Sequence, residues 1–382
     1  MQGIFYALTA AVLFGASTPL AKLLLGSLDP VQLAALLYGG AGVGLGLTLL
    51  ARRGVRRQRA AVREEALWPS RAHWPAFAGA VLLGGVAGPV LLMSGLRREP
   101  AAVASLLLNL ESVFTALLAW FVFREHTGRR LVIGMACIVA GGVLLSWSPG
   151  QALVFSPGAA LIAGACLCWA LDNNLMRKVS DGDAALLACV KGLAGGAINF
   201  LLAAALQLRW PPAGAAVAGA FLVGFVSCGL SISLFILALR QLGAARTSAY
   251  FSVAPFVGVL LALLLGHEAL TGTLCAAGVL MAAGVWLHLS ERHDHLHTHE
   301  PLQHSHPHVH DSHHQHVHDF PWQGHGAHTH VHQHARMSHA HAHFPDLHHA
   351  HEHAPPVEAA PPDAAAPPVG PAPDRAADEQ SG

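Results

Sequence analysis

The sequence predicts an all-α integral membrane protein of ten transmembrane helices, built as two inverted five-helix repeats and followed by a disordered C-terminal tail. Three observations carry that prediction. Hydrophobic side chains make up 53% of the 382 residues and charged ones only 12%, a balance foreign to soluble domains even though the last ninety residues are polar. Windows of about 20 residues, long enough to cross ~30 Å of hydrocarbon, return ten apolar spans. The second half of the chain also repeats the first.

The spans fall at 3–25, 31–50, 75–95, 101–123, 131–147, 158–176, 184–208, 214–239, 245–265 and 272–290. No basic segment precedes the first, no small-residue cleavage site stands out, and Lys22 and Asp29-Pro30 come after it, so it reads as a retained helix and not a signal peptide. The second contains "YGGAGVGLGL", in which Gly40 with Gly44 and Gly42 with Gly46 are overlapping pairs that let backbones approach closely in lipid. In the third, "GGVAGPVLLMSG" sets Pro89 in mid-membrane, where its missing N–H should kink the helix. All six cysteines lie inside spans, as small apolar fillers, and no disulfide framework is implied. Cys166 and Cys168, two apart on a helix, point away from each other and make no joint metal site.

Loop charge sets the orientation. With the N-terminus in the cytoplasm, inside loops and ends carry 15 Lys or Arg residues and outside ones carry 4, namely Lys22, Arg97, Arg98 and Arg209. Both termini are expected in the cytoplasm, with the chain multi-pass in the cell inner (plasma) membrane. The partners expected are the lipid bilayer and a small-molecule solute, not nucleic acid.

The repeat appears when "LRREPAAVASLLLNLESVFTALLAWFVFREHTGRRLVIGMACIVAGGVLL" is laid without gaps on "LRQLGAARTSAYFSVAPFVGVLLALLLGHEALTGTLCAAGVLMAAGVWL" at an offset of 143 residues. Leu96-Arg97 then matches Leu239-Arg240, Ala101-Ala102 matches Ala244-Ala245, Ser105 matches Ser248, Glu125 matches Glu268 and Ala140-Gly141 matches Ala283-Gly284. Five helices are an odd number, so the second copy enters the membrane from the opposite side. Inverted repeats are the architecture of secondary transporters, with the substrate site near the midplane between the copies. Duplication that merely built a large bundle is the alternative, and the polar residues must decide. The domain boundaries are then 1–147 and 157–290 for the repeats, 291–353 for a His-rich tail and 354–382 for a Pro/Ala-rich terminus.

The stretch "AVLFGASTPLAK", ending at Lys22, and its counterpart "CLCWALDNNLMRK", containing Trp169, share an aromatic residue followed by a polar and basic exit from the first helix of each repeat. Together with "LESVFTALLAWFVFRE" and "VAPFVGVLLALLLGHE" they resemble the EamA-type members of the drug/metabolite transporter superfamily over about residues 3–289. The family usually has Glu-Pro in the fourth helix; here Ser112 succeeds Glu111, and Ala254 precedes Pro255. The resemblance implies a solute carrier for small metabolites, commonly an exporter, with a cavity lined by helices 1, 3, 4, 6, 8 and 9.

Several polar side chains sit where hydrocarbon is expected. Glu111 lies ten residues into a helix starting near Ala101, hence ~15 Å deep by helical rise. A carboxylate there costs ~2.5–3.5 kcal/mol on insertion scales and nearly always faces a cavity or a partner. It is placed to carry a proton or meet a cationic group, or else to hydrogen-bond a neighbouring helix for structure alone. Ser105, Asn109 and Ser112 recur at i, i+4 and i+7 as a polar stripe beside it. On the sixth and seventh helices Asp172 and Lys191 are expected to pair across an antiparallel hairpin or to share a water-filled cavity, unless each snorkels to the interface alone. Of Asn173 and Asn174, one should bond within the bundle and the other should face the cavity mouth with Arg177. Glu125 beside His126 and Glu268 beside His267 read as helix-end pairs at the interface. No clustered nucleophile and base are visible, so an enzyme is not expected.

The tail holds 24 of the 28 histidines in His-x-His alternation, a composition that cannot bury a core. Neutral imidazoles such as those of His293, His295, His297, His299, His304, His306, His308, His310, His316 and His318 bind Zn, Ni, Co or Cu weakly and act together on one flexible chain. No cofactor is required. Two functions are then open: a permease for a small metabolite with a metal-binding cytoplasmic tail, or a transition-metal transporter or metal-sensing membrane protein using the tail as acceptor. The spans hold few ligands to continue a metal path, which favours the first.

Overall fold

The computed structural model describes residues 2–57, 68, 70–122, 128–146, 156–177, 179, 183–210 and 214–290, and the backbone of 293–299, 302–308, 328–334 and 337–343. Ten of its helices are long and apolar enough to cross a membrane: α1 (Gln2–Leu24), α2 (Pro30–Ala51), α3 (Arg71–Leu96), α4 (Ala101–Leu118), α5 (Arg129–Ser146), α6 (Pro157–Met176), α7 (Ala184–Ala205), α8 (Ala215–Leu239), α9 (Arg246–Leu265) and α10 (Gly272–Leu289). They match the predicted spans in number and order.

Local chemistry starts several of them. Asp29 and Gln32 form a reciprocal cap on α2: the Asp29 carboxylate accepts from Val31 N at 3.2 Å, and Gln32 Oε1 accepts from Asp29 N at 3.1 Å. Pro30 occupies the first helical position, where its missing N–H costs nothing. Asp183 caps α7 by accepting from Ala185 N and Leu186 N at 2.9 and 3.0 Å, and Thr271 caps α10 through Leu274 N at 3.1 Å.

The glycines of α2 sort by face. Gly40 and Gly44 lie against Phe221 and Phe225 of α8, while Gly42 and Gly46 lie against Leu193 and Cys189 of α7. One helix thus uses two small-residue rows to seat two neighbours at backbone distance. Between α8 and α9 the helical bonding has no gap, running from Ser231 to Phe251. Even so the chain reverses there: Ser231 lies beside Ala10, Leu242 beside Gly3 and Ala254 beside Gly15, so α8 descends along α1 and α9 returns along it.

Inversion is visible in the contact of α5 with α10. A Cβ on Gly134 would meet Gly284 O at 2.9 Å, and one on Gly141 would meet Ala277 O at 3.2 Å. At the offset of 143, Gly134 is equivalent to Ala277 and Gly141 to Gly284. The two contacts are one contact seen twice, as a two-fold relation between the repeats requires. Both termini therefore leave the bundle on one face, here called the terminal face; α1, α3, α6 and α9 end or begin on the other in the alternation that ten spans impose.

The tail forms a unit of its own, Asp294–Gly382. From His293 onward, β1 (His293–His299), β2 (Leu302–His308), β3 (His328–His334) and β4 (Met337–His343) are strands, and β2 runs antiparallel to β3 with Leu302 opposite His334 and His308 opposite His328. The sequence predicted no regular elements here. His-x-His alternation has the period of a strand, which accounts for the difference.

Candidate functional site

The site begins with a defect in α3. Residues Val81–Ala87 are wound as a π-helix, with Gly88 N–H reaching back to Leu83 O. In that register the N–H due to Gly84 O is that of residue 89, a proline, and none exists. The expected kink at Pro89 is thus realised as a π-turn. Side chains from other helices satisfy the carbonyls it strands: Tyr38 Oη and Trp169 Nε1 donate to Gly84 O at 2.8 and 3.1 Å, and Asn199 Nδ2 donates to Gly85 O at 3.0 Å. Gly84 also lets the Asp172 carboxylate press onto the backbone, where any Cβ would overlap it.

The charged residues gather beside this turn. Lys191 Nζ donates to Asp172 Oδ2 at 2.6 Å across the α6–α7 hairpin, with side-chain exposures of 21% and 4%. Asp172 Oδ1 is buried and has no partner among the described residues. From α4, Glu111 Oε1 accepts from Asn173 Nδ2 at 2.8 Å. Glu111 makes no ion pair among the described residues, although Asp172 and Lys191 are near enough to act on it electrostatically. Asn173 and Ser112 are exposed, while Asp172 and Asn174 are buried. Counting ~1.5 Å per residue, Asp172 lies ~6 Å inside the terminal face from the end of α6 at Met176, and Glu111 ~15 Å from the end of its helix at Phe121.

Other candidates lie elsewhere. Lys22 is on the opposite face, donating to Leu96 O and Glu99 O at 2.6 and 2.8 Å. Ser105 is buried against Gly258 of α9, and Asn109 bonds Leu106 O at 2.9 Å and faces Met281 of α10 at 4.0 Å. The predicted stripe of Ser105, Asn109 and Ser112 is therefore not one face, because α4 turns irregularly at Leu108–Asn109 and rotates the residues beyond it. Asn174 bonds Ala170 O at 2.8 Å, inside the bundle. Glu268, expected to pair with His267, instead caps α4 by accepting from Ala101 N and Ala102 N at 2.6 and 2.9 Å. Glu125, His126 and the side chains of Arg177 and of the tail histidines lie outside the described residues. Among the described residues no three His, Cys, Asp or Glu come together to hold a metal ion.

Tyr38 and Asn199 were not indicated by the sequence, nor was any part for α2, which is not among the helices 1, 3, 4, 6, 8 and 9 that the resemblance assigns to the cavity. The available signal was the spacing in "GGVAGP", two glycines five and four residues ahead of a mid-membrane proline. A second π-turn at Gly224–Leu230 of α8 stands at the same offset of 143 from the first, with Ser231 N–H reaching back to Val226 O.

The profile of the EamA-like transporter family matches residues 1–147 and 156–290. An uncharacterized transporter of Methanothermobacter thermautotrophicus is 27% identical over 303 residues, covering 75% of this chain and 86% of that one. A Salmonella typhimurium protein described as a "probable amino-acid metabolite efflux pump" is 27% identical over 203 residues, covering 50% of this chain and 68% of its own. In fold, a solved crystal structure superposes with a TM-score of 0.53 at 22% identity, over 75% of this chain and 96% of that one. Ten membrane-crossing helices and a match across both repeats lead to one conclusion: the chain is a membrane transporter and belongs to the EamA-like transporter family.

Proposed function

We propose that the protein is a secondary transporter that moves a small polar metabolite across the cytoplasmic membrane by alternating access, in the export direction, with both termini in the cytoplasm. One observation carries this reading: Glu111 of the first repeat bonds Asn173 of the second beside the Asp172–Lys191 pair, so the polar cluster spans the boundary that rocking repeats would open and close. Two carboxylates against one ammonium leave an excess acceptor, and Asp172 Oδ1 is already unpartnered among the described residues. A cationic group of the solute, or a proton, fits that excess. The Salmonella relative, described as a probable amino-acid metabolite efflux pump, supports an amino-acid metabolite as the first solute to try.

The test is uptake and efflux in proteoliposomes with a metabolite panel across pH, for the wild type and Glu111→Gln. The wild type is expected to show pH-dependent transport, and the variant a flattened profile with weakened solute affinity. An unchanged profile and affinity would sink the role of Glu111. The same panel includes Zn, Ni and Co, because the tail's histidine alternation favours metal binding at the cytoplasmic end, as a buffer or as an acceptor for a transported ion.

A further inference from the structure

The face opposite the termini is closed by polar contacts that the cluster does not use. Glu268, just beyond α9, reaches from the second repeat to the first two N–H groups of α4, at 2.6 and 2.9 Å. The bonds are charge-assisted and lie on the positive end of the helix dipole. Close by, Lys22 at the end of α1 holds the carbonyls that end α3, and both Glu268 and Glu99 lie within its electrostatic reach. The Glu99 carboxylate accepts from Ser156 Oγ, ahead of α6, and packs on Gly158. Beneath this layer α1, α4 and α9 cross at small residues: a Cβ on Gly258 would come within 2.6 Å of Ser105 Oγ and 3.0 Å of Gly15 O. Ala102, Ala104, Leu106 and Leu107 are buried below it. The cluster, by contrast, has Asn173 and Ser112 exposed.

We propose that Glu268 is the latch that holds the bundle shut on the face opposite the termini, and that its carboxylate leaves the α4 N-terminus each time the cluster is exposed to that face. Because the bonds go to backbone N–H groups, freeing them unties the end of α4 from α9 without rebuilding a side-chain network. The orphaned N–H groups and the carboxylate then meet water, so the exchange is near balance and fit for repeated cycling. This rests on the alternating-access reading above, and its test needs no solute.

Cys166 supplies the reporter. Its Sγ is buried 3.6 Å from Leu107 O, on α6 between the latch and Asp172. In the full chain with Cys166 as sole thiol, intact cells and inside-out vesicles present the two faces separately to a membrane-impermeant maleimide. From the face opposite the termini, Cys166 should react slowly while Glu268 is intact and about 5-fold or more faster in Glu268→Gln and Glu268→Ala. Labelling from the terminal face should not rise. Thermal unfolding in detergent identifies a variant that has lost its fold; if alanine does so, the shape-preserving Gln decides. Folded variants labelled at the parental rate overturn the latch, whatever the transport assay shows.

Discussion

Asp172 and Lys191 show what a buried charge can and cannot announce in a sequence. A bond of 2.6 Å between side chains 4% and 21% exposed is an ion pair largely removed from water, and removing one partner of such a pair costs ~3–5 kcal/mol because the other is stranded. Removing both costs much less. Asp172→Asn and Lys191→Met should each lower the unfolding midpoint in detergent, and the double variant should recover most of the loss; additive effects would mean that the pair contributes nothing as a pair. The pair was legible in the sequence because a short hairpin fixes how α6 and α7 face each other, so two charges at similar depth have few alternatives. Tyr38 was not legible. It is one apolar-bodied residue in an apolar span, and its partner is a backbone carbonyl that a regular helix would have kept for itself. Asn199 is hidden for the same reason.

The π-turn in α3 is where sequence periodicity failed at the level of the element, since hydropathy windows register length and apolarity and are blind to one extra residue in a turn. Its logic is nevertheless local. Pro89 withholds an N–H, the turn widens, and the Gly84 and Gly85 carbonyls go to Tyr38, Trp169 and Asn199. Pro89→Ala restores the missing donor and should draw the turn toward regular α-helix. The expected outcome is a variant whose unfolding midpoint is not lowered but whose transport turnover falls, because Gly84 no longer leaves room for the Asp172 carboxylate where it now sits. Hydrogen exchange at Val90 and its neighbours would report the tightened turn. Unchanged turnover would show that the widened turn is not needed for transport. The second π-turn, in α8, lacks the proline, with Ile232 at the equivalent position, so the widening there does not depend on a missing donor.

At the scale of the whole molecule, the two-fold contact between α5 and α10 and the paired π-turns make the 143-residue repeat a property of the fold as well as of the letters. Ten spans and their order were readable because burial in lipid demands long uninterrupted apolar runs, a signal stronger than any in a soluble domain. The tail obeys other rules. It begins where the last apolar span ends, divides from the bundle at His293, and consists of polar and imidazole side chains that add nothing to a hydrocarbon core. If bundle stability and tail composition are independent, a chain ended after Ser290 should insert, unfold at the parental midpoint in detergent, and transport solute at the parental rate. It should also lose most of its retention on immobilised Ni and most of its Zn binding by titration, since the described bundle residues form no cluster that replaces the imidazoles. Full metal retention by the shortened chain would move the ligands into the bundle and revive the metal as cargo. Failure to insert would mean that the tail takes part in assembly, and the division at His293 would then be one of geometry and not of folding.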